Sequence, residues 1–483
     1  MHCIQSIFKA SLPFLVLTAG TLKSESQTSQ SSAPTDDIVA ALPVIPDAKF
    51  NLADYGAVGD NRTDNTDAFH KAVAAIEAAG GGHLTVPAGT YKTRPFTLTS
   101  HMDLHLDPGS KIKAPDNFAD YGLPDPNDAP AGGGGRGGFG GGRSAPLISG
   151  NNLTDVAITG SGTIDGSGQR FWIWSDKAAR LYPPGRTVIG RPTLVNISGN
   201  RLHFDGVMLT NSPMYNLVPH GSNITIENLR IVDPSDSPNT DAMDPSGDHI
   251  IIRNCDIDVG DDHIALQSGS HDILVTNLTC LHGHGISIGS HTSAGLYHII
   301  VRDCNFIGSD NGIRIKSHRG DAGEVHDIWY SNITMKDVKR PFDINTRYLG
   351  NSDTALDVGP RSPEGQPTTA LPDFHDIHVS NLTITRSPLA GRILGIPEQM
   401  PHDITFTNVT IHSDHGFLIQ DAGANITFEN SKIDASVGDP FVMDNATFKW
   451  NGVDKTGTSG GSPELFYLPT DIWQDRIFPL APQ

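Results

Sequence analysis

The sequence is poor in cysteine, in aromatic residues and in charge, and its charge is mostly of one sign. Four cysteines occur among 483 residues, aromatic residues make up 7% and charged residues 18%. The 54 acidic residues outnumber the 34 basic ones, which gives a formal net charge of −20. This acidic excess argues against a nucleic-acid or anionic-membrane partner, because both are polyanions and would be repelled.

Long hydrophobic runs are also missing beyond the N-terminus. There, Lys9 precedes an apolar run over residues 10–19 that has the shape of a secretory signal and is too short to span a bilayer. An amphipathic core segment is the alternative. We predict a signal peptide over residues 1–20, a flexible linker over 21–47 and a secreted or periplasmic location for the protein.

A repeat runs through most of the chain: Ile, any residue, an apolar residue, any residue, then Asn or Asp. Successive copies lie 22–29 residues apart, with one interval of 49 that is either two turns or one turn with a long loop. Apolar alternation indicates a short strand, and Asn favours the turn after it. The pattern predicts an all-β fold, a right-handed parallel β-helix over residues 48–483. The copies end at Asn228, Asn254, Asn277, Asp303, Asn332, Asn381, Asn408 and Asn430.

Amphipathic helices are almost absent, which excludes a TIM barrel or a Rossmann fold. One such segment, "TDAFHKAVAAIEAAGGG", places Phe69, Val73 and Ile76 on one face. Thr66 or Asp67 can cap its start, and the glycines at 80–82 end it. We expect this helix to cover the N-terminal end of the solenoid, which otherwise exposes strand edges.

Cysteine spacing argues against a disulfide framework. Cys255, Cys280 and Cys304 follow the turn residues of the repeat and point into the core by alternation. Cys255 and Cys304 are two coils apart, about 9–10 Å, which is too far for a disulfide. We predict buried free thiols. The segment "GGGGRGGFGGGR", at about residues 131–143, is predicted to be a flexible surface insertion.

A column of polar residues emerges when the coils are aligned on their apolar positions. Met243, Ile264, Ile286 and Ile313 then stack, and two residues before each lie Asp241, Asp262, His284 and Asn311. Successive coils are about 4.8 Å apart, so two carboxylates and an imidazole converge, with Asp261 beside them. Gly260, Gly283 and Gly285 allow the backbone to bend there.

Two cations follow in the next coil. Arg314 and Lys316 are two residues apart on a strand, so both point outward, opposite to Ile313 and Ile315. Next to three acids on an acidic chain, they favour a localised site for an anionic ligand over a solvated pair.

Three interpretations of this column remain open. Asp241, Asp262, His282 and His284 offer ligands for a metal ion. A structural turn cluster is the simplest alternative. Carboxylate catalysis is favoured, because crowded acids raise one macroscopic pKa, so one carboxyl can hold a proton while its neighbours are ionised.

Four ordered motifs resemble the signature of the polygalacturonase family, glycoside hydrolase family 28. They are "NTD" (239–241), "GDD" (260–262), "GHG" (283–285) and "RIK" (314–316). The stretches "FNLADYGAVGDNRTDNTDAFHKAVAA", "VPAGTYKTRPFTLTS" and "NSPMYNLVPH" are also similar to coils of this family, so the resemblance covers about residues 50–348.

This resemblance implies inverting hydrolysis of α-1,4-galacturonosyl linkages in pectin. It implies Asp261 as general acid, Asp241 and Asp262 as the groups that activate water, and His284 as the residue that tunes or orients the acid. It also implies substrate binding by Arg314 and Lys316 and, more loosely, by Asn239 and Tyr348. The sequence departs from the family at His263, where many members have the cysteine that pairs with the equivalent of Cys280, and at Ala242, where many have glycine.

Two other functions stay open beside the pectin hydrolase. A pectate lyase on the same solenoid would use Ca²⁺ and an arginine base, and a non-catalytic β-helix would only bind carbohydrate. For the hydrolase we expect polygalacturonate or pectin oligosaccharides as partners, no cofactor, no metal, no nucleic acid, no membrane, and a monomer.

Overall fold

The computed structural model describes residues 37–123, 144–175, 190–349, 358–361 and 369–468. The predicted signal peptide (1–20) and the glycine-rich insertion (131–143) lie outside these described residues.

Strands make up most of the regular secondary structure of the described residues. The strands are β1 (Lys49–Asn51), β2 (Asp60–Asp64), β3 (Gly82–Val86), β4 (Gly89–Lys92), β5 (Phe96–Thr97), β6 (Met102–Leu106), β7 (Ser110–Lys113), β8 (Ile148–Gly160), β9 (Thr163–Asp165), β10 (Val195–Asp205), β11 (Met208–Thr210), β12 (Leu217–Glu227), β13 (Arg230–Val232), β14 (Ser246–Arg253), β15 (Asp256–Val259), β16 (Ile264–Leu266), β17 (Ser270–Thr276), β18 (Thr279–His282), β19 (Ile286–Ile288), β20 (Leu296–Arg302), β21 (Asn305–Ile307), β22 (Asn311–Lys316), β23 (Gly323–Lys336), β24 (Arg340–Asn345), β25 (Pro372–Phe374), β26 (Ile377–Leu394), β27 (Ile404–Glu429), β28 (Lys432–Trp450) and β29 (Val453–Ser459).

Helices are few in the same residues. They are α1 (Thr66–Ala78), α2 (Gln169–Trp172) and three 3₁₀ turns at Leu52–Tyr55, Ala119–Tyr121 and Pro463–Tyr467. None of the described helices is long and apolar enough to cross a membrane.

The strands form a parallel β-helix, as the repeat predicts. In the central coils three strands per coil pair in parallel with their equivalents in the next coil, as in the series β14–β17–β20, β15–β18–β21 and β16–β19–β22. Toward the C-terminus the strands of a coil merge, so that β27 is continuous over 26 residues. Only β28 and β29 pair antiparallel among the described strands. A continuous stack of buried isoleucines fills one side of the core; it contains Ile224, Ile250, Ile273, Ile299, Ile328, Ile377 and Ile404.

Asparagines at the repeat's turn form a ladder along the outside of the solenoid. Each adopts the left-handed conformation, in which its amide donates to the side-chain oxygen of the coil before; the Asn277 amide, for example, lies 2.8 Å from Oδ1 of Asn254. The ladder continues across the interval of 49 residues, where Asn381 donates to Asn332. That interval is therefore one turn with a long loop.

The predicted helix is present as α1, and Phe69 stacks on Phe96 of β5 with ring centroids 4.5 Å apart. Its start differs from the prediction. The capping position is Asn65, whose side chain makes no cap, and the Oδ1 atom of Asp64 accepts from the Thr66 backbone N–H instead. Neither Thr66 nor Asp67 is the cap, because the helix already begins at Thr66.

Cys255, Cys280 and Cys304 are buried free thiols, as predicted. His263, at the position of the missing partner cysteine, is also buried. Its Nδ1 atom accepts the Gly285 backbone N–H and its Nε2 atom donates to the Leu281 carbonyl, so it joins two coils. Burial lowers the pKa of His263 to about 4, so the ring is neutral above that pH.

Residues 37–47, the described part of the predicted linker, lie along the solenoid. Ile38 packs with Leu274 and Ile300, and the backbone N–H of Val44 donates to Asp155. These contacts attach this part of the chain to the folded body.

Candidate active site

The polar column is assembled as the coil alignment predicts. Met243 pairs with Ile264, Ile264 with Ile286, and Ile286 with Ile313, on the face formed by β16, β19 and β22. This register places Asp241, Asp262, His284 and Asn311, each two residues earlier, in successive coils. All four side chains are buried. Gly285 is required by the bend, because its φ is +84° and a Cβ atom would lie 2.3 Å from the Gly312 carbonyl oxygen.

Asp261 is held by its neighbours on both carboxylate oxygens. Its Oδ1 atom accepts the Asp262 backbone N–H at 3.0 Å and lies 2.9 Å from Nδ1 of His284. Its Oδ2 atom lies 3.5 Å from the Asn239 amide nitrogen. Arg191 donates to the Asn239 oxygen at 2.6 Å, which turns the Asn239 NH₂ group toward the acid.

Asp262 is the anionic centre of the site. Lys316 Nζ donates to its Oδ2 atom at 2.8 Å, and Arg314 Nη1 and Ser287 Oγ donate to its Oδ1 atom at 3.1 and 2.8 Å. Burial opposes ionisation of Asp262, but the charges of Lys316 and Arg314 outweigh it and hold its pKa below the ordinary value of 3.8. Asp262 is therefore a carboxylate even in acidic solution.

Arg314 and Lys316 project to the same side of β22 as predicted, but they are buried and bound to Asp262 rather than exposed. Tyr348 covers them, with its ring centroid 5.2 Å from the Arg314 guanidinium carbon and 5.4 Å from Lys316 Nζ. Behind them, Arg392 binds both oxygens of Asp343 at 2.6 and 2.9 Å.

His284 has a second acidic neighbour that the sequence analysis missed. Its Nε2 atom lies 3.8 Å from Asp310, which binds Lys339 Nζ at 2.8 Å. The sequence does indicate this position for Asp310. The residues one position before Asp262, His284 and Asn311 also stack from coil to coil, and they are Asp261, Gly283 and Asp310.

Asp244 is a further buried acid that the sequence analysis did not single out, although it lies only three residues after Asp241. Within the described residues its Oδ1 atom has no hydrogen-bond partner. Burial and the carboxylates of Asp262 and Asp261 raise its pKa well above 3.8. Asp244 therefore holds its proton more firmly than an ordinary aspartate.

The metal set considered from the sequence is not brought together. His282 is exposed, and its Nδ1 atom lies 2.7 Å from Asp258. Donor atoms of Asp261, Asp262 and His284 do lie within 4.8 Å of one another. However, both Asp262 oxygens are occupied by Lys316 and Arg314, and these fixed cations disfavour a metal ion there.

Comparisons with known proteins agree with this geometry. Residues 140–426 match the family described as glycosyl hydrolases family 28, and residues 49–156 match the one described as rhamnogalacturonase A/epimerase, pectate lyase-like. A probable polygalacturonase of Vitis vinifera is 34% identical over 382 residues, which cover 75% of this chain and 74% of the relative. An endo-polygalacturonase of Pectobacterium carotovorum is 30% identical over 378 residues, 74% of this chain and 88% of the relative.

Solved structures match as well. The exopolygalacturonase of Thermotoga maritima superposes with a TM-score of 0.64 at 25% identity, over 88% of this chain and 97% of that structure. The polygalacturonase of Erwinia carotovora, 23% identical with a TM-score of 0.62 over 88% of this chain and 99% of its own, shares the fold. With the four ordered motifs stacked on one face of the solenoid, these matches show that the chain belongs to glycosyl hydrolases family 28 and is a glycoside hydrolase.

Proposed function

We propose that the enzyme hydrolyses α-1,4-galacturonosyl linkages of polygalacturonan or pectin with inversion of the anomeric configuration. The observation that carries this proposal is the buried pairing of Asp262 with Lys316 and Arg314, directly beside Asp261. One carboxyl group is kept ionised at acidic pH, and its neighbour is hydrogen-bonded to a histidine. This difference between two adjacent acids is what acid–base hydrolysis requires.

In the proposed mechanism Asp261 donates its proton to the leaving glycosidic oxygen. Asp262, with Asp241 in the preceding coil, accepts a proton from the water that attacks the opposite face of the sugar. His284 contacts Asp261 and orients its carboxyl group. After one turnover Asp261 has lost its proton to the leaving oxygen, and the Asp262–Asp241 pair has gained one from the attacking water. Proton exchange with the solvent then restores the starting state.

Arg314 and Lys316 serve a second purpose in this mechanism. The overall charge of −20 repels a polyanionic substrate, so a galacturonate carboxylate needs a local positive site. The two cations under Tyr348 provide it, Arg314 as a planar fork and Lys316 as a point charge. We propose that Tyr348 and Asn239 line the same substrate site.

The test is incubation with polygalacturonate and sizing of the products over time. We expect shortened oligosaccharides with saturated ends and no loss of rate in a chelator. Asp261→Asn should reduce turnover by at least about 100-fold, because the amide cannot donate the proton. The matched control is Asp256→Asn, an exposed aspartate of the same coil, which should keep full activity.

Three results would contradict the proposal. An unsaturated, ultraviolet-absorbing product would establish a lyase, binding of polygalacturonate without cleavage would indicate a carbohydrate-binding protein, and an active Asp261→Asn variant would remove Asp261 as the acid.

We also propose export from the cytoplasm, which the N-terminal pattern over residues 1–20 supports. N-terminal sequencing of the protein recovered from the medium or periplasm should show that this segment has been removed. A product that is retained in the cytoplasm with Met1 in place would contradict it.

A further inference from the structure

A second group of potential metal-binding side chains lies near the active site on two neighbouring loops. His291 follows β19, and His318 and Asp321 follow β22, which pairs with β19 in the next coil. Donor atoms of these three residues lie within 4.8 Å of one another. The loops are joined by the Thr292 and Ser317 hydroxyls, 2.8 Å apart.

His318 and Asp321 are already oriented for coordination. Nδ1 of His318 donates to the Arg319 backbone carbonyl at 2.9 Å, because a carbonyl oxygen can only accept. This bond fixes the tautomer and leaves Nε2 with its lone pair, the arrangement that metal-binding histidines adopt. Asp321 is buried, and its Oδ2 atom accepts the Thr292 backbone N–H at 3.0 Å and lies 3.3 Å from Nδ1 of His291.

The absence of a competing cation distinguishes this group from others of similar composition. In the group His203, Asp205 and Glu227, Arg253 already binds Glu227 at 2.7 Å. Within the described residues no lysine or arginine pairs with Asp321. A metal ion would therefore bind Asp321 without displacing a fixed positive charge.

We propose that His291, His318 and Asp321 form a binding site for a divalent transition-metal ion of the Zn²⁺ class. Two imidazoles and one carboxylate suit Zn²⁺, whereas Ca²⁺ and Mg²⁺ prefer sites made only of oxygen atoms. The exposed His291 side chain already lies beside Asp321, with its Nδ1 atom 3.3 Å from Oδ2, so little movement brings all three ligands to one ion. The bound ion links the loops of two coils beside Lys316.

The test measures Zn²⁺ binding by calorimetry and the shift of the melting temperature, on the untagged full chain after chelator dialysis at pH 7. We expect one saturable site, a raised melting temperature and no comparable response to Ca²⁺. His318→Ala and Asp321→Asn should each weaken Zn²⁺ binding at least about tenfold. Asp321→Asn keeps an oxygen for the Thr292 N–H, so it tests the ligand without removing that contact.

Two controls locate the ion. His326→Ala alters an exterior stack in which His326 lies between Tyr297 and His375, with centroids 5.4 and 5.1 Å away, and should leave Zn²⁺ affinity unchanged. Asp261→Asn tests the active site and should also leave it unchanged. Equal affinity in wild type and His318→Ala, loss of binding in either control, or no saturable binding in the wild type would overturn the proposal. None of these readouts depends on the substrate of the enzyme.

Discussion

Lys316→Met should shift the low-pH limb of the activity profile to higher pH, because it removes one of the two positive charges that keep Asp262 ionised. The replaced ammonium lies 2.8 Å from Asp262 Oδ2, and both groups are buried. At an effective dielectric constant of about 20, the gross attraction across that distance is about 6 kcal/mol. The cost of desolvating both groups offsets part of this attraction. In the variant, Arg314 still stabilises the Asp262 carboxylate.

We therefore expect the pKa of Asp262 to rise, because an opposite charge that favours the ionised carboxylate has been removed. The sign follows from the depressed pKa in the wild type: Asp262 is ionised above that value, and the variant needs a higher pH to reach the same ionised fraction. KM for polygalacturonate should also rise, because the variant loses the contact that we propose between Lys316 and a substrate carboxylate.

The assay is reducing-end release from polygalacturonate, with kcat/KM measured from about pH 3 to pH 8. The pKa of the free substrate is the same for all variants, so a change in the pH at which the low-pH limb lies belongs to the enzyme. Lys336→Met, an exposed lysine on β23, is the matched control and should keep the wild-type profile. A raised KM with an unmoved low-pH limb would refute the reasoning, since Lys316 would then act on the substrate alone.

Two further predictions concern pH and stability. The wild-type profile should be a bell with an acidic optimum, since Asp262 must be ionised and Asp261 protonated; a rate that rises steadily into alkaline pH would contradict it. Asp343→Asn should lower the free energy of unfolding by about 3–5 kcal/mol, because it leaves Arg392 and Arg340 buried without their carboxylate. Burial by itself raises the pKa of Asp343, but the two arginines outweigh this effect and hold the pKa at about 2. The stabilisation that the Asp343 carboxylate provides is therefore present above about pH 4 and is lost as the pH falls toward 2. The free energy of unfolding of the variant, measured by denaturation at several pH values, should lack this decrease.

The sequence alone determined the coil register, and with it the fold and the centre of the site. Strands of a solenoid stack at a fixed interval, so the spacing of Asn254, Asn277 and the other turn residues translates directly into spatial neighbours. The same spacing aligns Asp241, Asp262 and His284 in successive coils. The sequence also predicts α1, because its apolar residues recur with the 3.6-residue period of a helix.

Only the tertiary structure decided which side chains meet within and between the loops. Register places Arg314 and Lys316 on the right face, but their bonds to Asp262 depend on side-chain conformations that periodicity does not specify. The direction of His282 toward Asp258 and the approach of Asp310 to His284 depend on turns of irregular length. Regular strands repeat a local pattern and are readable from it, whereas loops and buried charges take the positions that the whole packed molecule allows.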